Sequence, residues 1–340
     1  MSRRRNTATI VGEQGVNALH VLHYGEGAIA ELGTPTTRPK ASTRQLDAAP
    51  TARLWRTVAA HLRLARPTDN AFAFVGTVLG ANLAGLPQAS WSIVCAVASS
   101  NALLSAASMM VNDGHDVAED AVNRPDRPIP SGAVPRDRAL ALGALLFAAG
   151  LLVATAVGRL FGLAALGVMG LSVLYSWKLK SIPFVGNGTT ALLSAYPLWC
   201  WIAIQGFHGR TYLGAAAGFF VAGVGREMIR TVLDVAGDAS EGIRTVATTW
   251  GGAFANQFGL LLILIGLVGA WLSADGAARP AYASTLAVST AVILVAGAYQ
   301  VYKGPSRRAS RRLTALARIT SAMLALGVAW DLITGGWSPH

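Results

Sequence analysis

Long apolar runs separated by short polar gaps dominate the chain from about residue 70 onward. Nine such runs lie at approximately 70–87, 91–111, 139–157, 160–177, 185–205, 212–232, 253–273, 281–301 and 315–335. Apolar stretches of about 17–25 residues are long enough to cross a bilayer as helices. The short gaps favour antiparallel neighbours. The pattern therefore predicts an all-α membrane protein in which nine transmembrane helices form one bundle.

The first 66 residues follow a different pattern. Residues 1–50 mix Gly, Thr, Pro and Arg without a sustained period, which predicts a disordered N-terminal tail. In residues 51–66 the apolar positions Leu54, Val58 and Leu62 recur four residues apart, with arginines among them. This segment is interpreted either as an amphipathic helix at the membrane interface or as a plain extension of the first span.

Composition and charge agree with the membrane interpretation. Hydrophobic residues make up 53% of the chain and charged residues only 13%. If the N-terminus is cytoplasmic, only Arg159, Arg210 and Arg279 of the 28 basic residues fall on the outer side. The net charge of +11 is therefore attributed to topology and to anionic lipids, and not to nucleic-acid binding. The two cysteines, Cys95 and Cys200, lie inside spans and predict no disulfide framework.

Two acidic repeats follow apolar runs on the predicted cytoplasmic side. Both have the pattern Asp-Val-Ala-x-Asp, from Asp116 to Asp120 and from Asp234 to Asp238. In a helix, acids four residues apart share one face. Mg²⁺ prefers oxygen ligands and is typically held by carboxylates together with substrate phosphates. The repeats therefore predict a Mg²⁺-diphosphate site in a central cavity that opens to the cytoplasmic side.

Basic residues near the repeats have two interpretations. The loop after the first repeat contains Arg124 and Arg127 among prolines, and these side chains could grip phosphate oxygens or pair with the acids. Lys178 and Lys180 follow the fourth span. They could reach a phosphate or anchor the helix end at the interface.

Polar residues at the ends of other spans are further candidates. Arg226, Arg230 and Asp234 form one helical stripe, which faces a cavity or is neutralised internally. Asn70 either caps the first span, as Asp69 could, or faces the substrate. Asn187 is a substrate contact or an interhelical hydrogen-bonding group.

Together these motifs resemble the UbiA superfamily of intramembrane prenyltransferases. The resemblance covers the chain from Arg66 to the ninth span, within a domain predicted at 67–340. It implies that Mg²⁺ and the diphosphate are held by Asn112 and the catalytic acids Asp113, Asp116, Asp120, Asp234 and Asp238. It further implies that Arg124, Arg127, Lys178 and Arg226 contact the diphosphate, that Tyr175 lines the pocket, and that Asn70 and Asn187 contact substrate. His115 departs from the family, because relatives usually carry an aromatic residue there.

The implied activity is Mg²⁺-dependent transfer of a prenyl group from a prenyl diphosphate to an aromatic or lipid acceptor, through an allylic carbocation. A terpene cyclase on the same scaffold and an ion-coupled transporter are the alternatives. The expected partners are the donor, the acceptor and the lipid bilayer. The expected location is a multi-pass membrane protein with a cytoplasmic active site.

Overall fold

The computed structural model describes residues 50–85, 91–206, 209–303 and 306–334. The tail predicted to be disordered lies outside these residues, apart from Pro50, which begins the first helix. Within the described ranges the chain is helical, with eleven α-helices, a short 3-10 turn and no β-strand. The helices are α1 (Pro50–Ala65), α2 (Pro67–Leu83), α3 (Trp91–His115), α4 (Val117–Asn123), α5 (Arg136–Val157), α6 (Arg159–Trp177), α7 (Val185–Gln205), α8 (Arg210–Ser240), α9 (Val246–Ser273), α10 (Pro280–Lys303) and α11 (Arg307–Ile333).

Each of the nine predicted spans falls on one long helix. Among the described residues, six helices are long and apolar enough to cross a membrane, namely α3, α5, α6, α9, α10 and α11. The other three predicted spans coincide with α2, α7 and α8. The prediction of an all-helical protein is confirmed. The helix boundaries differ most at α8, which continues to Ser240 and so includes the second acidic repeat.

The long helices pack in the order of the sequence. Neighbouring long helices contact one another, and α11 returns to contact both α2 and α8. Across the described ranges, α2, α3 and α5 to α11 therefore form a closed circuit. The core is filled by large buried side chains such as Trp201, Tyr212 and Phe161. Trp201 donates its indole N–H to the carbonyl of Thr77 at 2.9 Å, which satisfies a polar group in an apolar interior.

Helices α8 and α9 approach each other through glycines. A Cβ atom on Gly218 would lie 2.5 Å from the carbonyl oxygen of Gly266, and one on Gly225 would overlap the carbonyl oxygen of Gly259. Small residues allow helix backbones in membranes to pack this closely. These contacts fix α8 along its length against α9.

The helix that carries the first acidic repeat is interrupted. Helix α3 ends at His115, and Asp116 begins α4 with φ −88° and ψ 15°. The proline-rich loop then connects α4 to α5. The predicted amphipathic segment does form a helix, α1, whose Leu64 is buried in a cluster with Ile129 and Val134. Its location at the membrane interface stays a prediction.

Candidate active site

A polar cavity lies where α3, α4, α7 and α8 meet. It encloses about 100 Å³. The polar side chains in its lining are Asn112, Asp116, Glu119, Asp120, Asn123, Arg124, Arg127, Tyr175, Lys180, Asn187, Thr190, Glu227, Arg230, Thr231, Asp234, Asp238 and Thr245. Both acidic repeats therefore face one cavity.

The side chains around the first repeat that line the cavity come from two helices. Asn112, in the last turn of α3, donates its amide to Asp116 at 2.5 Å. Asp120 follows one turn later, and its backbone N–H donates to the carbonyl of Asp116 at 2.8 Å. The turn between the two acids is thus helical although α3 has ended, and both acids keep one face.

The second repeat lies inside a continuous helix. Asp234 and Asp238 are one turn apart on α8 and both line the cavity. Asp238 is buried, whereas Asp234 is partly exposed and accepts a charged hydrogen bond from Arg124 at 2.5 Å. The helical face predicted for this repeat is confirmed.

Two arginines of the proline-rich loop connect the acids. Arg124 lies 2.5 Å from Asp234 and 3.5 Å from Asp120, so one guanidinium bridges the two repeats. Arg127 donates to Asp120 at 2.5 Å and to Asp113 at 3.2 Å. The arginines therefore pair with the acids in this structure, and they lie where a bound anion would also reach them.

Lys180, and not Lys178, faces the acids. A 3-10 turn at Leu179–Ser181 directs Lys180 towards Asp116 at 2.6 Å and Glu119 at 2.5 Å. Lys178 is exposed and lies outside the cavity lining. Burial, followed by the charge of Asp116, raises the pKa of the Glu119 carboxyl. Burial on its own lowers the pKa of Lys180, but the attraction of Asp116 and Glu119 outweighs it and the net pKa is raised.

Asp113 is separated from the other acids of its motif. It is buried outside the cavity lining, and it accepts hydrogen bonds from Arg66 and Arg127. Arg66 is the junction residue between α1 and α2 and has a positive φ of 50°. Asp113 therefore holds Arg127 and the α1–α2 junction in place and does not face the cavity.

Charged residues of α8 form a second group beside the repeat. Glu227 is buried, lines the cavity, and accepts from Arg226 at 3.0 Å and Arg230 at 3.4 Å. Arg230 also lies 4.0 Å from Asp234. The predicted stripe thus faces the cavity through Arg230 and Asp234, whereas Arg226 lies outside the lining.

The remaining predicted residues divide between the cavity and the bundle. Tyr175 and Asn187 line the cavity. Asn70 does not, and its amide donates to the carbonyl of Ala65 at 2.6 Å. The helix cap expected from Asp69 or Asn70 is not formed by either, because α2 begins after Arg66 without a side-chain cap.

Several polar lining residues were not among the predicted site residues, and Glu119, Asn123 and Glu227 are examples. Glu119 and Asn123 lie on α4 with the first repeat, and Glu227 lies on α8 next to Arg226. Asn123 follows Asp120 by three residues, so helical spacing alone would place it on the acidic face. The burial of Glu227 depends on the packing of α8 and has no comparable signal in the sequence.

Comparison with known proteins agrees with this geometry. The model of the UbiA prenyltransferase family matches residues 73–329. Digeranylgeranylglyceryl phosphate synthase of Thermococcus kodakarensis is 31% identical over 266 residues, which cover 77% of this chain and 93% of that protein. The synthase of Pyrococcus horikoshii is 39% identical over 159 residues, which span 45% of this chain and 57% of that protein.

A solved structure shares the fold. It is a UbiA homolog from Archaeoglobus fulgidus bound to DMAPP and Mg²⁺, with a TM-score of 0.63 and 18% identity, and the match covers 80% of this chain and 99% of that one. With the apolar helices, these findings make the protein a multi-pass membrane protein. The chain belongs to the UbiA prenyltransferase family.

Proposed function

We propose that this protein transfers a prenyl group from a prenyl diphosphate to a lipid acceptor, with Mg²⁺, in the cavity between α3, α4, α7 and α8. The observation that carries the proposal is the meeting of the two acidic repeats, bridged by Arg124 between Asp120 and Asp234. Carboxylates and cations in one cavity are what a metal-bound diphosphate needs.

The donor set of the cavity fits Mg²⁺. The lining contains six carboxylates and three asparagine amides, whose oxygens are hard ligands of the kind that Mg²⁺ prefers. In the described part of the chain, no three acids are grouped closely enough to hold an ion as they stand. Arg124, Arg127 and Lys180 instead pair with Asp234, Asp120 and Asp116. When bound, Mg²⁺ would act as a Lewis acid that neutralises the leaving diphosphate.

The residues of the chain would supply the rest of the catalysis. Arg124, Arg127 and Lys180 would donate to phosphate oxygens, and this would release the carboxylates for the metal. Positive groups that face the departing oxygen stabilise the charge that develops as the allylic C–O bond breaks. Apolar walls around the prenyl chain would keep water from the carbocation until the acceptor attacks.

The proposal also specifies the acceptor and the orientation of the protein in the membrane. Relatives are named as synthases of digeranylgeranylglyceryl phosphate, which favours a lipid acceptor that carries glyceryl phosphate over an aromatic one. The basic residues favour a cytoplasmic N-terminus, a cytoplasmic opening and nine membrane crossings. Asp113 and Asn70 support neighbouring structure in this scheme, and Lys178 has no direct role.

The test is a product analysis. Purified protein in lipid vesicles is incubated with prenyl diphosphates of graded length and a panel of lipid and aromatic acceptors, and products are identified by mass. The expected result is an acceptor-dependent prenylated lipid with release of diphosphate that stops when EDTA removes Mg²⁺. A prenyl product that forms equally well without any acceptor would overturn prenyl transfer in favour of cyclisation.

A further inference from the structure

The last residue of α4 contacts α8 inside the second acidic repeat. Asn123 ends α4, directly after the first repeat. Gly237 lies between Asp234 and Asp238, inside the second repeat. Contact between the repeats therefore involves backbone and amide groups in addition to charged side chains.

Both the nitrogen and the oxygen of the Asn123 side-chain amide form hydrogen bonds. Its Nδ2 donates to the backbone carbonyl of Asp234 at 3.1 Å, and its Oδ1 accepts from the backbone N–H of Gly237 at 3.0 Å. Both partners are main-chain atoms of α8. The pair of bonds therefore fixes the position of α4 relative to the α8 backbone and uses no carboxylate.

Gly237 is the residue that admits this contact. A Cβ atom there would overlap the Asn123 amide and would lie 2.8 Å from the backbone oxygen of Glu119. Glu119 and Gly237 occupy the same variable position of the two Asp-Val-Ala-x-Asp repeats. The position at which the repeats differ is thus the position at which they touch.

We propose that Asn123 is a positioning residue that sets the spacing between the carboxylates of the two repeats. This inference rests on the proposed function, because the spacing matters only if both repeats act on one metal-bound diphosphate. The ion pairs of Arg124 also join the repeats, but they occupy the acids that the metal needs. The bonds of Asn123 remain when those ion pairs open, so they hold the two repeats in register during the reaction.

The first experiment compares Asn123→Ala with Asn101→Ala. Asn101 is a buried asparagine on α3 that donates to Thr77 at 2.9 Å. In Asn123→Ala, the Mg²⁺ concentration for half-maximal diphosphate release at saturating prenyl diphosphate should rise about tenfold or more, comparable to the loss on removing a ligand-orienting partner. In Asn101→Ala the same Mg²⁺ concentration should stay within about twofold of the wild-type value, whatever the loss of thermal stability, because the contacts of Asn101 are remote from the ligands.

A second readout does not depend on turnover. Mg²⁺ with inorganic diphosphate should raise the Tm of the wild type and of Asn101→Ala, because a ligand that binds the folded state stabilises it. Asn123→Ala should lose most of that rise. An Asn123→Ala protein with the wild-type Mg²⁺ requirement and the wild-type rise in Tm would overturn the inference. A wild type without Mg²⁺-dependent diphosphate release would instead overturn the proposed function.

The glycine provides an independent check. Gly237→Ala should raise the Mg²⁺ requirement in the wild type and raise it less in Asn123→Ala, since the clash with the Asn123 amide is gone and only the one with the Glu119 backbone oxygen remains. Coupled effects of this kind are expected only for residues in contact. Gly218→Ala, with a similarly close contact to α9, should lower Tm and leave the Mg²⁺ requirement unchanged. Additive effects of Asn123→Ala and Gly237→Ala on the Mg²⁺ requirement would contradict the inference.

Discussion

The two acidic repeats share a sequence pattern but not a local structure. The first begins at a helix break and continues on the seven-residue α4, whereas the second is part of the 31-residue α8. The second repeat is held by the bundle, because its helix packs closely against α9. The first is held mainly by side chains, namely those of Arg127, Lys180 and Asn123.

This difference shows how one motif can serve two roles. Asp113, in the last turn of α3, is buried against Arg66 and Arg127 and lies outside the cavity lining. The unbroken α8 keeps Asp234 and Asp238 on one face. Carboxylates of the first motif therefore divide between supporting the site and lining it, and those of the second all line it.

The largest loss of activity is expected at Asp116 and Asp234, which occupy equivalent positions in the two repeats. Asp116→Ala and Asp234→Ala should each lower the rate of diphosphate release by about a hundred- to a thousandfold, as for loss of a charge-stabilising group. Glu241→Ala removes an exposed acid at the end of α8 and is the matched control. If either aspartate variant keeps normal turnover, the two repeats do not form one site.

The next prediction separates Asp113 from Asp116. Asp113→Asn should lower the free energy of unfolding by about 3 kcal/mol, because it leaves the guanidinium group of Arg66 without its buried counter-charge and Arg127 with Asp120 alone. Asp116→Asn should cost little stability and most of the activity. Thermal unfolding in detergent, compared with turnover per folded protein, measures both. A reversed order would place Asp113 in the cavity chemistry.

The two lysines after α6 test which positive charge acts beside the first repeat. Lys180→Ala should lower turnover about tenfold, since its ammonium contacts Asp116 and Glu119 and lines the cavity proposed for the diphosphate. Lys178→Ala should keep turnover within about twofold of the wild type, because an exposed charged side chain contributes little to the charges around the site. Steady-state kinetics on both variants decides the assignment, and equal losses would refute it.

The smallest effect is expected at His115. Its ring Nδ1–H donates a hydrogen bond to the carbonyl of Val111 at 2.8 Å, and the residue is exposed at the end of α3. His115→Ala should change turnover by less than about threefold at any acceptor concentration, because an exposed side chain with only a local contact has little effect. A selective loss of acceptor turnover, with diphosphate release intact, would instead assign His115 to the acceptor.

The sequence predicted the helices and the meeting of the repeats because both depend on periodicity. Each apolar run coincides with a long helix in the described part of the chain, and the i, i+4 spacing identified the acidic faces. It did not predict the break at Asp116, since the same five-residue pattern is continuous in α8. It also left Lys178 and Lys180 equivalent, because the choice depends on the 3-10 turn at Leu179–Ser181.

The contributions of Glu119, Asn123 and Glu227 were missed for another reason. Helical spacing would place Glu119 and Asn123 near the acidic face, but their partners, Lys180 and the α8 backbone, are distant in sequence, and the burial of Glu227 depends on packing. The resemblance placed Asp113 among the metal ligands and Asn70 among the substrate contacts. In the structure they bond instead with Arg66 and with the carbonyl of Ala65 at the α1–α2 junction.

The glycine contacts between α8 and α9 also bear on substrate passage. Two helices whose backbones touch at Gly218 and Gly225 cannot slide past each other without losing that contact. The α8–α9 pair is therefore expected to stay fixed as substrates enter and leave, and any displacement is expected in the proline-rich loop between α4 and α5.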